Sequence, residues 1–313
     1  MQLSSAQVKA LAREEGFSAC GLAPAGPVSA ARAAELRGWL AEGCNGTMDY
    51  LARNLDKRLD PRLLFEGACT VVSLAVNYSP ADGCEPGGGG CLARYACGTD
   101  YHEVVKAMLR RLLGRLGLTE GVDARVFVDT APLDEKYWAQ QCGLGWRGRN
   151  SQLIIPGAGS FFFLGEMLVR HAADIYDRPA RPHCGTCRAC LDVCPVGALR
   201  GDGTMDARRC LSYLTIECRD ALPPGTGGMM GGCFYGCDRC AEACPWNRRF
   251  ARRTAVTALL PRPAILAMGR EEWRALTREQ YTRLFTKSAV KRAKYGGLMR
   301  NIVAWCESGS TDK

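Results

Sequence analysis

CGTCRACLDVCPVGAL, residues 184–199, sets cysteines at Cys184, Cys187, Cys190 and Cys194 and a proline at Pro195. This Cys-x2-Cys-x2-Cys-x3-Cys-Pro run has the spacing of bacterial ferredoxins. Three thiolates two residues apart can curl around one face of a 4Fe–4S cubane. The fourth is carried away on the next helical turn and serves a second cluster. YGCDRCAEACPWN, residues 235–247, repeats the run with Cys237, Cys240, Cys244 and Pro245 but lacks one cysteine. Reciprocal ligation assigns Cys184, Cys187, Cys190 and Cys244 to the first cluster, and Cys194, Cys237 and Cys240 to the second. Cys233 and Cys210 both stand near enough in sequence to supply the missing thiolate, and spacing alone favours Cys233 weakly. A pair of zinc sites is the alternative reading, and two complete Cys-Pro endings argue against it.

The other cysteines of the eighteen are mostly scattered singly, as buried small hydrophobes are. A chain of 313 residues is too large for a disulfide-stapled secreted domain, so metal binding is the better use of this cysteine density. Its longest apolar stretches are too short to span a bilayer. The first sixteen residues read as an amphipathic helix with Leu3, Val8 and Leu11 on one side, not as a leader peptide. The expectation is a cytoplasmic protein. Charge is localised: residues 246–313 hold 15 Lys/Arg and 5 Asp/Glu, a net of +10, against −1 for the rest. A neutral body with a basic end suggests a polyanionic partner, although a solvated helical surface would have the same composition.

Ahead of the cysteine runs the sequence is mixed α/β. Residues 67–78 read as a buried strand and residues 84–91 as a Gly-rich surface loop. Residues 101–116 form a helix with Val104, Val105, Met108, Leu109, Leu112 and Leu113 on a common face. A short strand at 125–128, a helix at 135–142 closed by Gly143, and strands at 152–155 and 160–169 follow. Two prolines and two arginines at residues 177–183 mark a boundary. No Gly-rich phosphate loop follows a strand, so a nicotinamide site is not supported.

Asp129 sits just past an apolar strand, where α/β sheets place active sites. Desolvation there would raise its pKa and make it a general acid; equally, it would cap a helix beginning near Pro132. Asp134 and Glu135 read as first-turn carboxylates favoured by the helix dipole. Asp100, before Tyr101 and His102, reads as a helix cap, although this polar segment would also suit a ligand.

These segments together resemble the epoxyqueuosine reductases. The resemblance covers most of the chain and rests on PRLLFEGACTVVSLAVNY (61–78), RYACGTDYH (94–102), VFVDTAPLDEK (126–136), GLGWRGRNSQLI (143–154), GSFFFLGEML (159–168), DARRCLSYLTIE (206–217), LMRNIVAW (298–305) and both cysteine runs. It implies an α/β (α+β) cobalamin-binding catalytic domain over residues 1–177. A ferredoxin-like domain with two 4Fe–4S clusters would span 178–250, and a basic helical region 251–313. It implies reduction of epoxyqueuosine to queuosine in tRNA by cob(I)alamin, held beside the first cluster and fed by both clusters from an external electron donor. It makes Asp129 the proton donor and Cys210 the last ligand of the second cluster. Arg58, Cys97, Asn150 and Ser160 match cofactor or pocket positions, as do Trp246 and Asn247 at the end of the second run. Two departures stand out. Asp134 replaces a usually apolar residue, and the chain stops soon after residue 305, without the helical-repeat tail of longer members. The expected state is a monomer. A reductive dehalogenase, which the basic end does not suit, and a non-catalytic iron–sulfur carrier, which would bind no cobalamin, are the rival functions.

Overall fold

The computed structural model describes residues 2–80 and 90–308, so most of the Gly-rich loop expected at 84–91 lies outside the described residues. All but the last residue of strand β2 (Thr70–Asn77) are buried. Its β-branched Val71, Val72 and Val76 favour extended backbone. β2 lies between β1 (Ala19–Pro24) and β4 (Phe162–Val169), with β3 (Ala124–Phe127) beyond β4. Every pairing is antiparallel. The rule that sites gather at the ends of parallel strands therefore does not explain Asp129, whose position comes from the turn described below.

Alternation along the strands gives the sheet two apolar faces. Val72, Leu74 and Val76 meet helices α1 (Ser5–Glu14) and α3 (Tyr101–Arg115) through Val8, Ala12, Val105, Leu109 and Leu112. Val71, Ala75, Leu164 and Leu168 meet helix α4 (Glu135–Gln141) through Trp138 and Ala139. Gly165 permits the close seat of α3, because a Cβ there would lie 2.9 Å from Leu109 and 3.0 Å from Val105. Helix α2 (Ala30–Ala41) reaches the cysteine-rich segment, where Trp39 Nε1 donates to the Met205 carbonyl at 2.6 Å.

In the cysteine-rich segment the helical turns Ala189–Asp192 and Arg239–Glu242 pack against each other. Helix α5 (Leu211–Ile216) follows Cys210, its N-cap residue. The basic end does not stand apart. Trp273, Phe285, Leu298, Ile302 and Trp305 share one core with Ile216, Phe234, Tyr235, Ala96 and Cys97. The last helix, α6 (Lys294–Ser308), is pinned by Asn301 Nδ2, which donates to the Thr215 carbonyl at 2.7 Å. Among the described residues no helix is long and apolar enough to cross a membrane.

Candidate active site

A cavity of about 1090 Å³ opens where the sheet end, helix α2, the cysteine-rich segment and the basic end meet. It slightly exceeds the ~300–1,000 Å³ usual for small-molecule sites. Asp129, Tyr101, His102, Glu135, Arg58 and Asn150 line it from the α/β side. Cys194, Cys210, Cys237 and Cys240 line it from the other.

The chain leaves β3 and turns at Asp129, which adopts φ +56°, a left-handed conformation uncommon outside glycine and asparagine. The turn aims its carboxyl at the start of α3. Asp129 Oδ2 accepts from the Tyr101 hydroxyl at 2.7 Å and lies 3.1 Å from His102 Nε2. The other imidazole nitrogen, Nδ1, lies 2.7 Å from Asp100 Oδ1. An imidazole between two carboxylates satisfies both by carrying two protons. Burial pushes His102 down, but its bonds to Asp100 and Asp129 override this and lift it to about 9. Burial alone would push Asp129 up; the hydrogen bonds from His102 and Tyr101, with the charges of His102 and Lys136, hold it below the ordinary range instead. The desolvated, protonated Asp129 expected from sequence is thus an ionised carboxylate at neutral pH, and the adjacent proton rests on His102.

Asp129 does not cap α4: Asp134 holds the N-cap position, and the Asp129 side chain is engaged by Tyr101 and His102. Asp134 does not join the site, because it pairs with Arg32 Nε at 2.6 Å. Asp100 does cap α3, accepting from the His102 backbone N–H at 3.1 Å. Glu135 stands in the first turn of α4 as expected, but it also belongs to the site. Its Oε1 accepts the Asp129 backbone N–H, and burial, with the Asp129 charge next, lifts its carboxyl to about 8.

The thiols fall into two groups. Cys184 and Cys244 pack around Trp146 and Ile154, and Trp146 Nε1 donates to Cys184 Sγ at 3.3 Å. Such bonds to cluster sulfurs tune reduction potential. Burial pushes Cys190 up, and Cys184, Cys244 and Cys187 lie close enough to add to it. Burial likewise pushes Cys240 up, followed by Cys237 and Cys210. Cys210 in turn feels Cys194. Cys233 does not line the cavity and stands opposite Cys91 in a short parallel strand pair, its Sγ donating to the Tyr235 carbonyl at 3.5 Å. Among the described residues, no group of three or more His, Cys, Asp or Glu is arranged to hold a single metal ion. The cavity borders the second thiol group, whereas the cofactor was expected beside the first.

The six residues matched to cofactor positions divide as well. Arg58 and Asn150 line the cavity, and among the described residues the buried Arg58 Nε and Asn150 Nδ2 have no partner. Two buried donors left unpaired beside a large cavity suit a cofactor rich in acceptors. Cys97, buried in the core shared with the basic end, does not line the cavity and donates to the Leu92 and Ala93 carbonyls. Ser160 and Asn247 bond each other: Asn247 Oδ1 accepts from Ser160 N at 2.6 Å and Nδ2 donates to Ser160 Oγ at 2.8 Å. Trp246 packs edge-on against Trp146 beside the first thiol group. None of these four lines the cavity.

Two family models match. "4Fe-4S double cluster binding domain" covers residues 183–247, and "Epoxyqueuosine reductase QueG" covers residues 58–130. The epoxyqueuosine reductase of Cyclobacterium marinum is 42% identical over 298 residues, 94% of each chain. A crystal structure of epoxyqueuosine reductase with an epoxyqueuosine-modified tRNA-Tyr stem loop superposes with TM-score 0.88 at 26% identity, over 97% of this chain and 80% of that one. The Bacillus subtilis epoxyqueuosine reductase, in a form with its aspartate catalytic loop swung out of the active site, gives TM-score 0.84 at 25% identity, over 97% and 81%.

Proposed function

The chain belongs to the epoxyqueuosine reductase family, and from that membership we propose that it reduces epoxyqueuosine in tRNA to queuosine, using two 4Fe–4S clusters and cobalamin. One observation carries the reading: a cluster-forming thiol group and a proton-bearing Tyr101–His102–Asp129 group face each other across one large cavity. Cys194, Cys210, Cys237 and Cys240 hold the inner cluster at the cavity wall. Cys184, Cys187, Cys190 and Cys244 hold the outer one, where the exposed Cys187 leaves an edge open to an external one-electron donor.

Arg58 and Asn150 are the residues that would hold cobalamin, through the two unpaired donors. When bound, cobalamin supplies the low-potential nucleophilic chemistry that protein side chains lack. The protein supplies positioning and proton transfer. His102 Nε2 gives up its proton to Asp129 Oδ2, 3.1 Å away, which relays it to the oxygen leaving the opened ring. Tyr101 fixes the carboxylate in line. The test is anaerobic single turnover on epoxyqueuosine tRNA with cobalamin and a chemical reductant. Formation of queuosine is expected; a protein that binds neither cobalamin nor this tRNA would return the chain to the carrier reading.

The basic end borders the same cavity. Ala289 and Arg292 line it, and the neighbouring Lys291 and Lys294 are exposed. Arg292 is already held by Glu217, at 2.8 and 2.6 Å, and stacks on Tyr50. Lys291 and Lys294 are therefore the better phosphate contacts. Reversing both to glutamate is expected to weaken tRNA binding and flatten the salt slope by about 1 to 2, near 0.9 per lost phosphate contact. Filter binding across salt concentrations reads this directly, and an unchanged slope would make the segment a solvated surface.

A further inference from the structure

Behind Asp129 lies a second acidic group that the reaction as described does not use. Glu166 occupies the middle of β4, opposite Ser73 of β2 and Phe127 of β3, and is fully buried. Its Oε1 accepts from Ser73 Oγ at 3.2 Å, and among the described residues its Oε2 has no hydrogen-bond partner. The carboxyl that acts on it belongs to Glu135, on helix α4, which packs against β4. Two buried carboxyl groups acting on each other do not both ionise, and Glu166 has only the Ser73 hydroxyl to offset a charge, so at least one of the two carries a proton. Glu135 reaches forward as well: it lines the large cavity and accepts the Asp129 backbone N–H. A fully buried acid in the centre of a sheet is costly and needs a reason.

We propose that the Glu135–Glu166 pair is a proton store at the cavity floor, supplying the second of the two protons the reaction consumes. The inference rests on the proposed reaction, whose balance requires it. Two electrons arrive singly through the clusters from an external low-potential carrier. The first C–O bond breaks and the freed oxygen takes one proton, from Asp129 backed by His102. The second C–O bond breaks as the alkene forms, and that oxygen leaves as water with a second proton. Asp129 and His102 hold one readily transferred proton between them at neutral pH; Glu135 holds another.

The charged and titratable surroundings of Glu135 are consistent with a held proton. Asp129 opposes its ionisation, Tyr101 sits across the cavity edge, and Glu166 and Ser73 close the sheet side. A protonated Glu166, Lys136 and Arg58 favour its ionisation, and the two cations are themselves pushed down by burial. Cys142, at the end of α4, is held neutral by burial. Glu135 thus keeps its proton until pH rises through about 8, whereas His102 keeps its own to about 9.

The test uses the holoenzyme with both clusters and cobalamin, in single turnover on epoxyqueuosine tRNA across pH, with infrared spectra of the same samples. Glu135→Gln retains an oxygen for the Asp129 N–H but has no transferable proton. It is expected to be about 10–100-fold slower, at or below the usual scale for a positioned acid. Its alkaline fall should move from about 8 to about 9, where His102 titrates. The infrared spectrum of the parent protein should contain protonated-carboxyl bands lost in Glu135→Gln and in Glu166→Gln, which a merely structural role would not require. An active parent whose Glu135→Gln variant keeps both rate and alkaline fall overturns the store alone. A parent inert toward epoxyqueuosine tRNA overturns the reaction and the store with it.

Discussion

Asp129→Asn is expected to bind both clusters and cobalamin normally and to reduce epoxyqueuosine tRNA about a hundredfold more slowly, or worse. Asparagine suits this test because it tolerates the left-handed backbone that Asp129 adopts at φ +56°, so the turn after β3 should survive. Its amide oxygen still accepts from Tyr101. What disappears is the negative charge that helps lift His102 to about 9, and the oxygen able to relay the proton. The imidazole should lose its proton at lower pH in the variant, so the residual activity should favour acid. Asp134→Asn should have a much smaller effect, because Asp134 is paired with Arg32 at 2.6 Å and is directed away from the reacting group. Near-normal single turnover by Asp129→Asn, or a larger loss in Asp134→Asn, would remove Asp129 from the proton path and leave His102 or Glu135 to act without it.

How much of this was legible in the sequence depends on how local each signal is. Cluster ligation within each run is local, and the spacing of Cys184 to Cys194 and of Cys237 to Cys244 declares it. Strand β2 and helix α3 were legible because their apolar periodicity matches burial on one or both faces. β1 reads ACGLAP, with no β-branched residue and with Gly and Pro inside it, so its strand state comes from pairing with β2 rather than from propensity. Helix α2 is Ala-rich and buries only Leu36, so no stripe marks it. The proton-bearing group was least legible. His102, Asp129, Glu135 and Glu166 come from a helix start, a turn, another helix start and a mid-strand position, and only the fold brings them together. One clue was present: Glu166 interrupts an otherwise apolar strand, and a carboxyl there must be buried and neutral or paired. The resemblance supplied Asp129 but not the protonation states, which depend on neighbours more than twenty residues away.

Cys210→Ser is expected to lose about four of about eight irons per chain, since each cubane holds four and the inner one would lack a thiolate. Cys233→Ser should retain all eight or so. Sequence spacing weakly favours the opposite result, so the geometry makes a real choice between them. Cys210 stands at the N-cap of α5, lines the cavity with Cys194, Cys237 and Cys240, and packs beside Cys237. Cys233 is committed to the short strand pair with Cys91, and its thiol donates to a backbone carbonyl. Moving it to the cluster would require breaking that pairing. Because the inner cluster faces the cavity, its loss should also stop electron delivery to cobalamin while the outer cluster still accepts an electron from reductant. Iron analysis, with electron paramagnetic resonance on the reduced protein, separates the two variants: one remaining cluster signal for Cys210→Ser and two interacting ones for Cys233→Ser. Full iron in Cys210→Ser together with iron loss in Cys233→Ser would reverse the assignment and require residues 233–237 to rearrange when the cluster is built.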